Sequence, residues 1–143
     1  MSTTIEKNYT FYTDGSCLNN PGYGGWAFCM VDEYENKPIK ISSGGEPETT
    51  NNRMELLAVI NALSECSSFS VVNIHIDSQW VIYCAKGNWK RRANLDLWKK
   101  YEKVSKDKVI NFHWVRGHSG NQYNEIVDTM ARDQAILIRK LHS

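Results

Sequence analysis

No run of 18 apolar residues occurs in this chain of 143 residues, so nothing in it reads as a membrane span. Proline and glycine are scarce, at 3 and 9 residues, which excludes a collagenous or low-complexity chain. With 41% apolar and 23% charged residues, a disordered chain is excluded as well. There is no CxxC pair. The four cysteines, Cys17, Cys29, Cys66 and Cys84, are widely spaced and read as buried free thiols in a reducing compartment. The opening residues Met1–Lys7 contain no apolar signal core, so secretion is not expected and a cytoplasmic location is. No internal repeat and no linker interrupts the chain. One domain over residues 1–143 is expected, long enough to bury roughly two-thirds of its unfolded surface.

Net charge is nearly absent, at +1, but its distribution is uneven. Between Lys86 and Lys108 nine Lys and Arg residues face three acids, a local balance of +6 that leaves −5 for the rest. Such a lobe is either a solvated helix face or a contact surface for a phosphate backbone.

The residue pattern predicts strands over Tyr9–Asp14, Trp26–Val31 and Ile39–Ser43, joined by turns at Asp14-Gly15, Gly22–Gly25 and Asn36-Lys37-Pro38. Short strands in this order make an antiparallel meander. Helices then alternate with strands. A helix capped by Thr50 or Asn51 runs to about Cys66, a strand spans Val71–Asp77, and helices follow over Ser78–Lys86 and Leu95–Ser105. A fifth strand spans Val109–Val115, and a closing helix runs from Tyr123 to Leu141. This order implies an α/β fold with a five-stranded mixed sheet, three antiparallel strands first and two parallel ones after, flanked by helices.

Four acids stand where folding alone does not ask for them. Asp14 and Asp77 end two apolar strands, and strand ends are where ligands gather in such sheets. Turn and capping chemistry are the plain alternatives for these two. Glu55 is the sharper anomaly. Val59, Ala62 and Cys66 lie within about 40° of it on a helical wheel, which centres it on the apolar face. A buried, unpaired carboxylate costs several kcal/mol or stays protonated. Asp128 has Ala131 and Ala135 beside it, small neighbours that let the last helix approach the sheet closely, although a rim position would also suit it. Should the four converge, their repulsion requires a cation. Hard oxygen ligands without thiolates suit Mg²⁺ or Mn²⁺, and two ions roughly 4 Å apart would support in-line attack on a phosphodiester. Spacing alone does not establish convergence. The residues by themselves lead as far as an acidic metal site, a basic lobe and phosphodiester chemistry.

The segments that carry these acids resemble the type I ribonuclease H family. The resemblance lies in Tyr12-Thr-Asp-Gly-Ser-Cys-Leu-Asn-Asn-Pro-Gly-Tyr-Gly-Gly-Trp26, Thr49-Thr-Asn-Asn-Arg-Met-Glu-Leu56, Ile76-Asp-Ser-Gln79, Trp114-Val-Arg-Gly-His-Ser-Gly-Asn121 and Asn124-Glu-Ile-Val-Asp128. The blocks follow in order over nearly the whole chain. The resemblance implies hydrolysis of the RNA strand of an RNA–DNA hybrid, with 5′-phosphate and 3′-hydroxyl products, by a two-metal-ion mechanism using Mg²⁺, for which Mn²⁺ can substitute. It implies Asp14, Glu55, Asp77 and Asp128 as metal-binding catalytic carboxylates. It also implies His118 as a group that protonates the leaving group or releases product, a role suited to an ordinary histidine pKa near ~6.5.

By the same resemblance, Asn20, Asn51, Asn52 and Gln79 face the minor groove of the hybrid, where amides can meet base edges and 2′-hydroxyls. Thr50 lies near a pocket for a DNA-strand phosphate, with Glu48 close by in place of the base that some relatives carry. Trp89, Lys90, Arg91 and Arg92 match part of a basic protrusion that is shorter here. A free-standing monomer acting on RNA–DNA hybrid, away from membranes, is the expectation. Two other readings differ in class. One is a DNA-cutting or DNA-joining catalytic domain of the transposase or integrase kind. The other is a non-enzymatic nucleic-acid module, which four intact carboxylates disfavour because uncompensated acids repel phosphate.

Overall fold

The computed structural model describes residues 7–116 and 120–143. Its elements are β1 (Asn8–Cys17), β2 (Gly22–Asp32), β3 (Lys37–Thr49), α1 (Asn51–Ser64), β4 (Val71–Ile76), α2 (Gln79–Ala85), α3 (Leu95–Ser105), β5 (Val109–Trp114) and α4 (Gln122–Leu141). The five strands form one sheet in the order β3-β2-β1-β4-β5. β1, β2 and β3 pair antiparallel, while β4 runs parallel to both β1 and β5. The expected mixed sheet is therefore the observed one.

Two cores lie on the two faces of the sheet. Phe11, Phe28, Ile74 and Ile76 pack with Leu56, Val59 and Leu63 of α1 and with Val81, Leu97 and Trp98. On the opposite face Ala27, Cys29 and Val31 pack against Tyr123, Val127 and Ala131 of α4. All four cysteines are free thiols as expected, but only Cys29 and Cys84 are buried, while Cys17 and Cys66 are partly exposed. Among the described residues no helix is long and apolar enough to cross a membrane.

The first hairpin corrects the expected boundaries. Asp14-Gly15 is not a turn, because β1 continues to Cys17 with Asp14 opposite Ala27 and Gly15 opposite Trp26. Gly22–Gly25 is likewise strand rather than turn. The glycines answer to the approach of helices. A Cβ on Gly15 would collide with the α1 backbone at Met54 and Glu55, and one on Gly25 would collide with α4 at Ala131. The dipeptide that resembled turn chemistry is the place where α1 crosses the sheet.

Capping fixes where the helices begin. Thr50 caps α1, its Oγ1 accepting from the Arg53 amide at 3.2 Å. Ser78 caps α2 by accepting from Val81 N–H at 3.2 Å. Asn121 caps α4 by accepting from Tyr123 and Asn124. Because Ser78 serves α2, the carboxylate of Asp77 is not the helix cap.

Candidate active site

Three elements bring three carboxylates together. Asp14 lies within β1, Asp77 follows the last residue of β4, and Glu55 comes from the second turn of α1, which the glycine crossing lets sink onto the sheet. One oxygen from each of Asp14, Glu55 and Asp77 lies within 4.8 Å of the others. Asp128, from α4, lines the same cleft of about 310 Å³ together with Gly15, Ser16, Asn51, Asn52 and Ser78. It stands outside the tight group of three. A larger groove of about 540 Å³ runs along the β5 edge past Lys86, Tyr101, Asn111 and His113, and among the described residues no carboxylate lines it.

The cleft is electrostatically strained. Glu55 is 6% exposed and Asp14 5%. Burial, followed by repulsion from Asp77 and Asp128, pushes the Asp14 carboxyl up to about 7 against the hydrogen bonds it receives from Glu55 and Gly15. Burial, reinforced by the charges of Asp14 and Asp77, raises Glu55 well above the usual carboxylate range. The Gly15 amide donates to both Glu55 Oε1 and Asp14 Oδ1, which ties the two acids to the same point of backbone. Together they form a hard, all-oxygen donor set that lacks only positive charge, the set that a divalent cation such as Mg²⁺ fits.

Of the four amides expected to face substrate, Asn51 and Asn52 are among the residues that line this cleft, and Asn20 and Gln79 are not. Asn51 and Asn52 line it from the first turn of α1. Asn20 Oδ1 accepts from the Asn51 amide at 3.0 Å, which ties the loop after β1 to the start of α1. Gln79 is exposed at the first position of α2, two residues from Asp77. Thr50 sits at the α1 cap beside them. His118 lies outside the described residues.

The basic lobe is divided. Lys90 and Arg92 are exposed, and the half-exposed Trp89 ring rests on Tyr83 with centroids 4.8 Å apart. Arg91 departs from the expected phosphate contact. Its Nε donates to Cys84 O at 3.0 Å, its Nη2 to Ala85 O at 3.2 Å and its Nη1 to Glu102 at 2.5 Å. The guanidinium is thereby engaged inside the fold.

Two participants were not foreseen. Trp114 Nε1 donates to the main-chain oxygen of Asp77 at 3.2 Å, bracing the peptide from which the carboxylate projects. Pairing of Trp114 with Ile76 in the parallel ladder is the signal that would have found it, and that register is set by tertiary structure. Arg53 grips Asp96 with Nη1 at 3.0 Å and Nη2 at 2.7 Å and reaches Glu46 with Nε at 3.2 Å, which joins α1 to α3 and β3.

Known proteins match this chain over nearly its full length. The RNase H family model matches residues 6–136. A Campylobacter jejuni protein named ribonuclease HI is 43% identical over 143 residues, covering 94% of this chain and 95% of its own. The N-terminal RNase H domain of a Mycobacterium tuberculosis protein superposes with a TM-score of 0.85 at 20% identity, covering 96% of this chain and all, 100%, of that one. A structure of LC11-RNase H1 in complex with RNA/DNA hybrid gives a TM-score of 0.75 at 23% identity, covering 94% of this chain and 99% of that one.

Proposed function

The chain belongs to the type I ribonuclease H family, whose members are metal-dependent nucleases, and we propose that it cuts the RNA strand of RNA–DNA hybrids endonucleolytically, leaving 5′-phosphate and 3′-hydroxyl ends. The observation that carries the reading is the meeting of Asp14, Glu55 and Asp77 within 4.8 Å, with Asp128 on the same cleft. These four carboxylates would hold Mg²⁺ or Mn²⁺, with two ions as the full complement once substrate is bound. A bound cation supplies the positive charge that a phosphodiester needs as negative charge builds on it during displacement.

The remaining work falls to the chain. A bound cation would compete with protons for the Asp14 and Glu55 carboxylates, whose hold on protons burial strengthens. Asn20, Asn51, Asn52 and Gln79 present amide groups that can bond to 2′-hydroxyls and base edges, the contacts that separate RNA from DNA. Thr50 lies next to them for a DNA-strand phosphate. Trp89, Lys90 and Arg92 offer an aromatic face and two cations to the backbone. His118 returns a proton to the leaving oxygen or helps product depart. Residues 1–143 act as one catalytic unit and as a monomer, in a reducing cytoplasm that the four free thiols suit.

The test compares matched hybrid, DNA duplex and RNA duplex, each with Mg²⁺ and with chelator. Cutting of the RNA strand in hybrid alone, only with Mg²⁺, is the expected result. Cutting of duplex DNA would move the chain to the transposase-like reading. Binding without cutting would make it a nucleic-acid module.

A further inference from the structure

The loop between α2 and α3 carries the exposed Trp89, Lys90 and Arg92, and one residue inside it points the other way. Arg91 turns back onto the body of the protein. Its fork reaches the last two carbonyls of α2, Cys84 O at 3.0 Å, which Gly87 N–H also reaches at 3.4 Å, and Ala85 O at 3.2 Å. The third arm meets Glu102 on α3 at 2.5 Å. The guanidinium plane also lies over two aromatic rings of α3, with Cζ 4.4 Å from the Trp98 centroid and 5.7 Å from that of Tyr101. Both rings are buried. The loop folds onto the same helix end through Asn88 N–H and Trp89 N–H, which donate to Tyr83 O at 2.9 and 3.2 Å.

Resting on the hybrid-cleaving reading above, we propose that Arg91 is a positioning residue. It pins the loop to α2 and α3 so that Trp89, Lys90 and Arg92 meet the phosphate backbone as a preformed surface, and it makes no phosphate contact of its own. A flanking loop side chain on each side of it is exposed, and ordering those before binding lowers the entropic cost of engagement. Only a planar fork can reach two carbonyls, a carboxylate and two ring faces together. Lysine conserves the charge but makes neither the fork nor the stack.

The experiment is a pair of substitutions, Arg91→Lys and Arg91→Ala, in the full chain, with KM and kcat for hybrid measured against salt. Hydrogen exchange at the Asn88 and Trp89 amides supplies a readout independent of activity. Arg91→Lys is expected to raise KM about tenfold with kcat nearly unchanged. Protection at Asn88 and Trp89 falls, while melting shows the body of the protein folded. The combined Lys90→Ala and Arg92→Ala change costs less affinity in the Arg91→Lys background than in wild type, because the surface it dismantles is already loosened. If Arg91→Lys keeps wild-type KM and protection, the proposal is overturned. It is also overturned if Arg91→Ala reduces the log–log salt slope by about one unit and lysine restores it, the behaviour of a direct phosphate contact. Should wild type fail to cut hybrid, the functional reading falls, and the exchange data still decide whether Arg91 holds the loop.

Discussion

Arg53 and Glu55 stand two residues apart on α1 and show opposite solutions to the same problem of charge. Arg53 faces a bidentate carboxylate in Asp96 and a second acid in Glu46. Hydrogen bonding to Arg53 holds Asp96 down at about 2. Glu55 faces Asp14 and Asp77, and none of the three has a cation in contact among the described ion pairs. The first arrangement is complete as it stands and joins three elements. The second is incomplete, and a folded chain tolerates it only where something positive is to be bound. Arg91 and Lys90 repeat the contrast one lobe away, one fully partnered and the other facing solvent. Charge that is already paired marks architecture here, and charge left unpaired marks function.

The strongest way to break the comparison is to remove a charge from the unpaired set. Asp77→Asn keeps size while removing a metal-binding oxygen charge. Because Ser78 rather than Asp77 caps α2, the fold should be intact and cleavage abolished. More than a tenth of wild-type kcat in saturating Mg²⁺ would remove Asp77 from the site.

The next effect is on stability against pH. The folded Asp14 carboxyl titrates near 7, above its ordinary value of 3.8, so the native state binds more protons than the unfolded chain between those values. The stabilisation by protonated Asp14 is present in full below pH 3.8 and is lost as pH rises through about 7. Metal-free protein should therefore lose stability across that window, by at most about 1.4 kcal/mol per pH unit for one proton. Asp14→Asn should flatten the dependence, and Glu55→Gln should raise the metal-free melting temperature, increasingly so toward higher pH. Melting curves in chelator from pH 5 to 8 check both, and a wild-type protein that gains stability toward pH 8 would contradict them.

Exposed cations give a smaller effect. Replacing Lys90 and Arg92 with alanine should flatten the salt dependence of KM by up to about two log–log units, without altering base preference. Equal slopes would mark both as solvated surface. The smallest effect belongs to the completed pairs. Asp96→Asn should cost about 1 kcal/mol, since Asp96 is largely exposed and water screens it, with kcat left near wild type.

Much of this contrast could be read before any coordinates. Glu55 stood out because the helical period placed it among Val59 and Ala62, and burial followed from that pattern. The order of strands and helices fixed the mixed sheet, and Ala131 beside Asp128 signalled a close helix contact that Gly25 completes. What stayed hidden depended on neighbours distant in sequence. Asp14-Gly15 has the composition of a turn, and only the crossing of α1 shows why a strand runs through it. Lys90, Arg91 and Arg92 form one charge run whose members are indistinguishable until α3 supplies Glu102, Trp98 and Tyr101 to one of them. The separate standing of Asp128, lining the cleft without joining the tight three, likewise follows from where α4 lies.

The central claim, that the unpaired carboxylates form a cation site, is tested most directly by thermal melting against Mg²⁺ concentration near pH 8 for wild type and Asp77→Asn. A ligand that binds only the native state raises stability by RT ln(1 + [L]/Kd), about 2.7 kcal/mol at a hundred times Kd. The wild-type melting temperature should climb with Mg²⁺ while that of Asp77→Asn stays flat. Parallel responses in the two proteins, or none in either, would contradict the claim.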